Sequence, residues 1–249
     1  MPSSSIDALI NFHKAIGITS AKALYRVRSI TGQRKSGHAG TLDPAASGVL
    51  VLCLGKATKL VEQLMDQPKV YRATGRFDVT SESFDSDRPL VPVSVERPPD
   101  LHAVLVACAT QEGTFLQAPP RISAIKIGGV PSYKHAAWGD AAIPQPRPVT
   151  VYWLHVHHYS WPEIDFEMAC GRGTYVRAVI RDIGVQLGAG GCLTSLVRKQ
   201  VGPFKVEDAW TVEKIRECAA PFSYFIPRDE AMKKLTADVL LPPRPACAL

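Results

Sequence analysis

The chain has 249 residues, 46% hydrophobic and 21% charged, a near-average globular composition able to bury one substantial core or two modest ones. No run approaches the roughly 20 apolar residues of a membrane-spanning helix, and Met1 to Asp7 has neither a basic nor an apolar leader region; a soluble cytoplasmic protein is expected. The net charge of +6 is local: residues 1 to 60 hold eight basic residues (Lys14, Lys22, Arg26, Arg28, Arg34, Lys35, Lys56, Lys59) against Asp7 and Asp43. Such a concentration suits a polyanion, nucleic acid being the commonest, though charge alone equally fits a solvated basic face.

Ser20 is a good N-cap, and Ala21 to Thr31 places Leu24, Val27 and Ile30 at helical spacing before Gly32 closes the helix. The glycine-rich stretch Gly37 to Gly48 follows, then Val49-Leu-Val-Leu-Cys-Leu54 as a buried strand and a short helix near Ala57 to Met65. Tyr71 to Val79 alternates, with Tyr71, Ala73, Phe77 and Val79 on one face of a half-buried strand. An acidic loop and a proline-rich connection lead to a helix over Leu101 to Thr110, then a strand over Ile122 to Ile127 and a turn at Gly128-Gly129.

Val149 to Tyr159 and Ile164 to Cys170 form a plausible hairpin around Ser160-Trp-Pro-Glu163. Val176, Val179, Ile180, Ile183 and Leu187 mark the clearest helix. Irregular alternation with hairpins predicts an α+β fold, a mixed and mainly antiparallel sheet flanked by helices. The expected organisation is a catalytic domain over 1–210 and a short appendage over 211–249, ending in a proline-rich stretch that cannot build a core.

The six cysteines (Cys53, Cys108, Cys170, Cys192, Cys218, Cys247) show no CxxC pair and read as mostly buried thiols. His155 and His157 face opposite His158 on an alternating strand, and no Cys or carboxylate has matching spacing, so no metal is expected.

Asp43 precedes proline, which holds it extended, while Gly37, Gly40 and Gly48 allow the backbone around it to turn tightly. The loop could present its carboxylate, but an Asp-Pro pair also commonly caps a single turn. A second unusual segment, Gly171-Arg-Gly-Thr-Tyr-Val-Arg177, joins a strand to the strongest helix. Arg177 and Arg181 stand at i and i+4, a like-charge pair that calls for an anion, either Asp43 or an RNA phosphate, unless solvent screens it.

Gly37-His-Ala-Gly-Thr-Leu-Asp-Pro-Ala-Ala-Ser-Gly-Val-Leu50 resembles the catalytic-aspartate motif of the TruB family of pseudouridine synthases. Four more segments resemble the family in its order: Lys69-Val-Tyr-Arg-Ala73; Pro120-Arg-Ile-Ser-Ala-Ile-Lys126 with Tyr133; Cys170 to Arg177; and Ser195-Leu-Val-Arg-Lys-Gln-Val-Gly-Pro-Phe204. Together they span roughly residues 10 to 210.

The resemblance implies an isomerase that converts the T-loop uridine of tRNA, position 55, to pseudouridine after flipping the nucleotide out, with no cofactor. It implies that Asp43 either attacks the ribose carbon or removes a sugar proton, that Arg177 pairs with it, and that Tyr71 contacts the uracil or assists loss of the C5 proton. His38 would lie near the flipped nucleotide, Tyr175 and Leu196 would pack on the base, and Lys126 and Tyr133 would line the RNA site. Lys22, Arg34, Lys35 and Lys59 would supply phosphate contacts. The implied partner is the tRNA T-arm, bound by a monomer.

Two departures stand out. Where the family usually has Lys-Pro before Gly-x-Thr-Ser, this chain has His13-Lys-Ala-Ile-Gly-Ile-Thr-Ser20, and the tail is too short for a complete PUA-type RNA-binding module. A non-catalytic RNA chaperone on the same fold is the competing reading. A glycosidase ranks last, because only one acid stands in the motif.

Overall fold

A computed structural model describes residues 6–140, 142–220, 223–236 and 241–246, so Cys247 and parts of both termini lie outside the described residues. The chain divides into two compact units, residues 1–71 with 197–242, and residues 72–196 with 243–249.

The first unit is organised by four N-terminal elements: β1 (Ala8–Lys14), α1 (Ser20–Thr31), β2 (Ser36–Ala39) and β3 (Ser47–Leu54). Every residue of β3 is buried, as its unbroken apolar run requires of a strand covered on both faces. Antiparallel β1 and β2 pair with it, while Val197 and Arg198 run parallel to its Ser47 and Gly48. One face packs Val49, Val51 and Cys53 with Leu60, Leu64, Ala231 and Leu235; the other packs Leu50, Leu52 and Leu54 with Ala23, Val27 and Ile215. Residues beyond 210 enter these clusters through the helices Val212–Glu217 and Arg228–Thr236, and Ile226–Pro227 pairs with Leu9 and Ala8.

The second unit carries the expected hairpin, Arg147–Ser160 with Glu163–Cys170, flanked by the antiparallel strand Gly113–Gln117. The helix Val176–Gln186 buries Val176, Val179, Ile180 and Ile183. It packs so closely that a Cβ on Gly75 would lie 2.9 Å from Ile180, and one on Gly184 1.9 Å from the Gly190 carbonyl oxygen. The fold is thus the expected α+β class.

Three local expectations change. Thr19, not Ser20, caps α1, accepting from the Lys22 amide at 3.1 Å. The predicted strand over Ile122 to Ile127 shrinks to Lys126–Ile127, paired with Val130–Pro131 around Gly128-Gly129. The segment near Ala57 to Met65 begins as a 3₁₀ turn, Gly55–Leu60, before the helix Val61–Asp66.

Cys53, Cys108, Cys170 and Cys192 are buried, and Cys218 is half-buried. A bulge after Val156 stacks the His155 and His157 rings edge to face at 4.6 Å, with His157 Nε2 3.5 Å from Glu167 on the neighbouring strand. Among the described residues, no group of three His, Cys, Asp or Glu is arranged to hold a metal ion, and no helix is long and apolar enough to cross a membrane.

Candidate active site

The loop from Gly40 to Gly48 carries Asp43 between β2 and β3. Gly40 (φ +83°) at its start and Gly48 (φ +106°), just inside β3, adopt conformations that favour glycine. Gly37, expected to serve the same purpose, lies within β2 and needs no such freedom. Asp43 opens a single β-turn with Pro44 next to it, its carbonyl accepting from the Ala46 amide at 3.1 Å, as an Asp-Pro pair commonly does; the chain then enters β3. The residue is half-buried.

Two buried cations face this loop. Arg198, 2% exposed, donates from Nε to the Val49 carbonyl at 2.7 Å and from Nη2 to the Gly40 carbonyl at 3.1 Å. Lys14, fully buried, directs its ammonium to the carbonyls of Ile18 at 2.8 Å and Ala15 at 3.0 Å, and reaches that of Pro44 at 3.5 Å. Burial pushes the Lys14 pKa down to about 8, the Asp43 carboxylate partly offsets this, and the Arg198 charge adds to it. The Gly17 amide donates to the Pro44 carbonyl at 2.8 Å, so the turn that carries Ala15, where the family usually has proline, is tied to the Asp43 loop.

Ser20, freed from capping, faces Leu42 in the same loop, its hydroxyl 2.9 Å from the amide and 3.0 Å from the carbonyl. His38 lies on β2, not on a loop, with Nδ1 buried and without a hydrogen-bond partner. Burial and then the Arg198 charge lower its pKa, so the ring is neutral at pH 7. Tyr71 is buried, on the strand Lys69–Arg76. Lys22, Arg34, Lys35 and Lys59 are all exposed, as phosphate-binding residues must be.

The second unit holds the remaining candidates. Arg177 is buried, donating to the carbonyls of Ser83 at 2.9 Å and Ile122 at 3.1 Å, with its guanidinium carbon 5.9 Å from the Tyr175 ring centroid. Arg181 has local partners, Asp182 at 2.7 Å and the Ala118 carbonyl at 2.9 Å. Tyr175 is fixed through its backbone: the Gln117 side chain accepts from its amide at 2.9 Å and donates to its carbonyl at 3.2 Å. Leu196 is buried on the strand Cys192–Val201, whereas Lys126 and Tyr133 are exposed on the segment around the small hairpin.

Arg198, Lys14, Ser20 and Gln117 are the supporting residues missed by sequence reasoning. Arg198 and Lys14 stood inside quoted motifs, which is a signal, but neither has a neighbour in sequence that identifies its target. Ser20 stood in the same quoted segment as Lys14 but was read as a helix cap, and Gln117 has no such signal.

A family model described as TruB family pseudouridylate synthase (N terminal domain) matches residues 28–176. Relatives named tRNA pseudouridine synthase B include one from Syntrophotalea carbinolica, 41% identical over 87% of this chain and 70% of its own length. Another, from Syntrophobacter fumaroxidans, is 36% identical over 93% of this chain and 76% of its own. The fold resembles that in a crystal structure of a Cbf5-Nop10-Gar1 complex, with a TM-score of 0.70 and 25% identity, covering 94% of this chain and 68% of the other. The Asp43 loop lies inside the matched region, and the chain belongs to the TruB family of pseudouridylate synthases.

Proposed function

We propose that the protein isomerises a uridine of tRNA to pseudouridine, and that its target is the T-loop uridine at position 55, presented on the T-arm. The observation that carries the reading is the Asp43 loop: the one acid of the motif sits at the first position of a β-turn held by Ser20, Lys14 and Arg198. The relatives' shared name, tRNA pseudouridine synthase B, supports the substrate class.

Asp43 starts cleavage of the N1 to C1′ bond, either by attack on the ribose carbon or by taking a sugar proton. The base then turns, C5 joins C1′, the C5 proton leaves and N1 takes up a proton, so nothing is oxidised or reduced. Tyr71 and Arg177 are the further catalytic candidates that the family motifs imply: both side chains are buried, a phenol suits uracil and proton transfer, and a guanidinium favours the ionised form of a carboxylate it pairs with. Tyr175 and Leu196 pack on the base, neutral His38 occupies space beside the flipped nucleotide, and Lys126 and Tyr133 line the RNA path. The protein works as a cytoplasmic monomer.

The test is to incubate purified protein with an unmodified tRNA transcript and map pseudouridine chemically. Conversion of the uridine at position 55 is expected; conversion only elsewhere overturns the position, and no conversion overturns the activity.

A further inference from the structure

Arg198 is the largest of the fully buried side chains, and its guanidinium is committed to the loop that carries Asp43. Its three donor atoms reach three carbonyls on either side of that residue: Nε to Val49, Nη2 to Gly40 and, at the long limit of 3.5 Å, Nη1 to Thr41. The backbone of Arg198 takes part as well. It pairs in register with Gly48, and a Cβ on Gly48 would lie 2.2 Å from the Arg198 carbonyl oxygen, so the positive φ of Gly48 and its lack of a side chain both serve this close approach. Side chain and backbone of one residue therefore grip Gly40, the start of the loop, and Gly48 and Val49, its end.

Resting on the reading of Asp43 as the catalytic carboxylate, we propose that Arg198 is a positioning residue that closes the Gly40 to Val49 loop and fixes where Asp43 is presented. The chemistry explains why arginine holds this place. A planar guanidinium presents several N–H donors in a fixed fork, so it can bridge carbonyls at the two ends of a loop, whereas an ammonium is a compact point charge. Bonds from a charged donor are stronger than neutral ones, and buried carbonyls that lose them are left unsatisfied. A displacement of about 1 Å in a reacting group can cost about a hundredfold in rate, so a loop released at both ends loses turnover before it loses affinity for RNA, which the exposed basic residues supply.

The experiment compares wild type, Arg198→Lys and Arg198→Met, each checked for a cooperative thermal transition. Single-turnover pseudouridine formation, tRNA affinity by filter binding, and amide exchange across residues 40–49 are measured on the same preparations. The expected result is a rate down about a hundredfold in the Met variant and less in the Lys variant, tRNA affinity within about threefold of wild type, and faster exchange confined to 40–49. A folded Met variant with wild-type rate, or one whose loss lies wholly in tRNA affinity, overturns the proposal. Should the Met variant fail to fold, the Lys variant decides: unchanged rate and unchanged exchange overturn it. Should wild type itself form no pseudouridine, the functional reading fails separately, and unchanged exchange over 40–49 in the variants would still sink the clamp.

Discussion

The hydroxyl of Ser20 lies 2.9 Å from the Leu42 amide and 3.0 Å from the Leu42 carbonyl, tying the first residue of α1 to the residue before Asp43. Both residues are buried, so Ser20→Ala leaves two backbone groups of Leu42 without that partner. The expected cost is about 1–3 kcal/mol in urea unfolding, with a fall in turnover larger than any change in tRNA affinity. Full activity and stability in this variant would show that the tie is dispensable.

Lys14 is expected to set an alkaline limit on the reaction. Below a pH of about 8 its ammonium holds a positive charge near Asp43 and its hydrogen bonds to the Ile18 and Pro44 carbonyls; above it the charge is lost. Turnover is expected to fall above pH 8, to about one tenth of its plateau by pH 9, and Lys14→Arg moves the fall to higher pH. Titration of Lys14 does not itself promote unfolding over this range. Between about 8 and the ordinary lysine value of 10.5 the unfolded chain holds a proton that the folded chain has released, so this residue's contribution to stability rises with pH. Rate profiles and thermal melts over pH 6 to 10 check both statements.

Gly184 is a packing position, not a flexible one. A Cβ there would sit 1.9 Å from the Gly190 carbonyl oxygen, inside the helix Val176–Gln186. Gly184→Ala is expected to lose about 1–3 kcal/mol despite alanine's better helix propensity, because backbone must move. Chemical denaturation reads it directly; a stabilised variant contradicts the close approach.

Exposed Lys22, Arg34, Lys35 and Lys59 predict a salt-dependent affinity for tRNA. Replacing each by alanine should weaken binding and reduce the slope of log affinity against log salt by about one per lost phosphate contact, with the rate at saturating tRNA unchanged. Filter binding at four salt concentrations separates contacts from bystanders.

Periodicity made the main elements legible: the unbroken apolar β3, the hairpin Arg147–Ser160 with Glu163–Cys170, and the stripe on Val176–Gln186 each announce themselves. Two-residue strands such as Ile226–Pro227 and Lys126–Ile127 have no period to read, since partners far along the chain create them. The resemblance of the motifs pointed to Asp43, Tyr71 and Arg177 as candidates, but nothing in them pointed to the partners of Ser20 or Arg198. Hydrogen bonds from those side chains span 22 residues in one case and about 150 in the other, and local sequence carries no trace of such pairings. For Arg181, one answering carboxylate stood next to it in sequence, in Asp182.

The most direct measurement compares wild type and Asp43→Asn on an unmodified tRNA transcript, mapping pseudouridine after single turnover and measuring tRNA affinity in parallel. The account predicts conversion of the T-loop uridine by wild type, none by the folded variant, and affinities within about threefold of each other, because binding rests on exposed basic residues. Pseudouridine formed at a wild-type rate by the folded Asp43→Asn protein would contradict it.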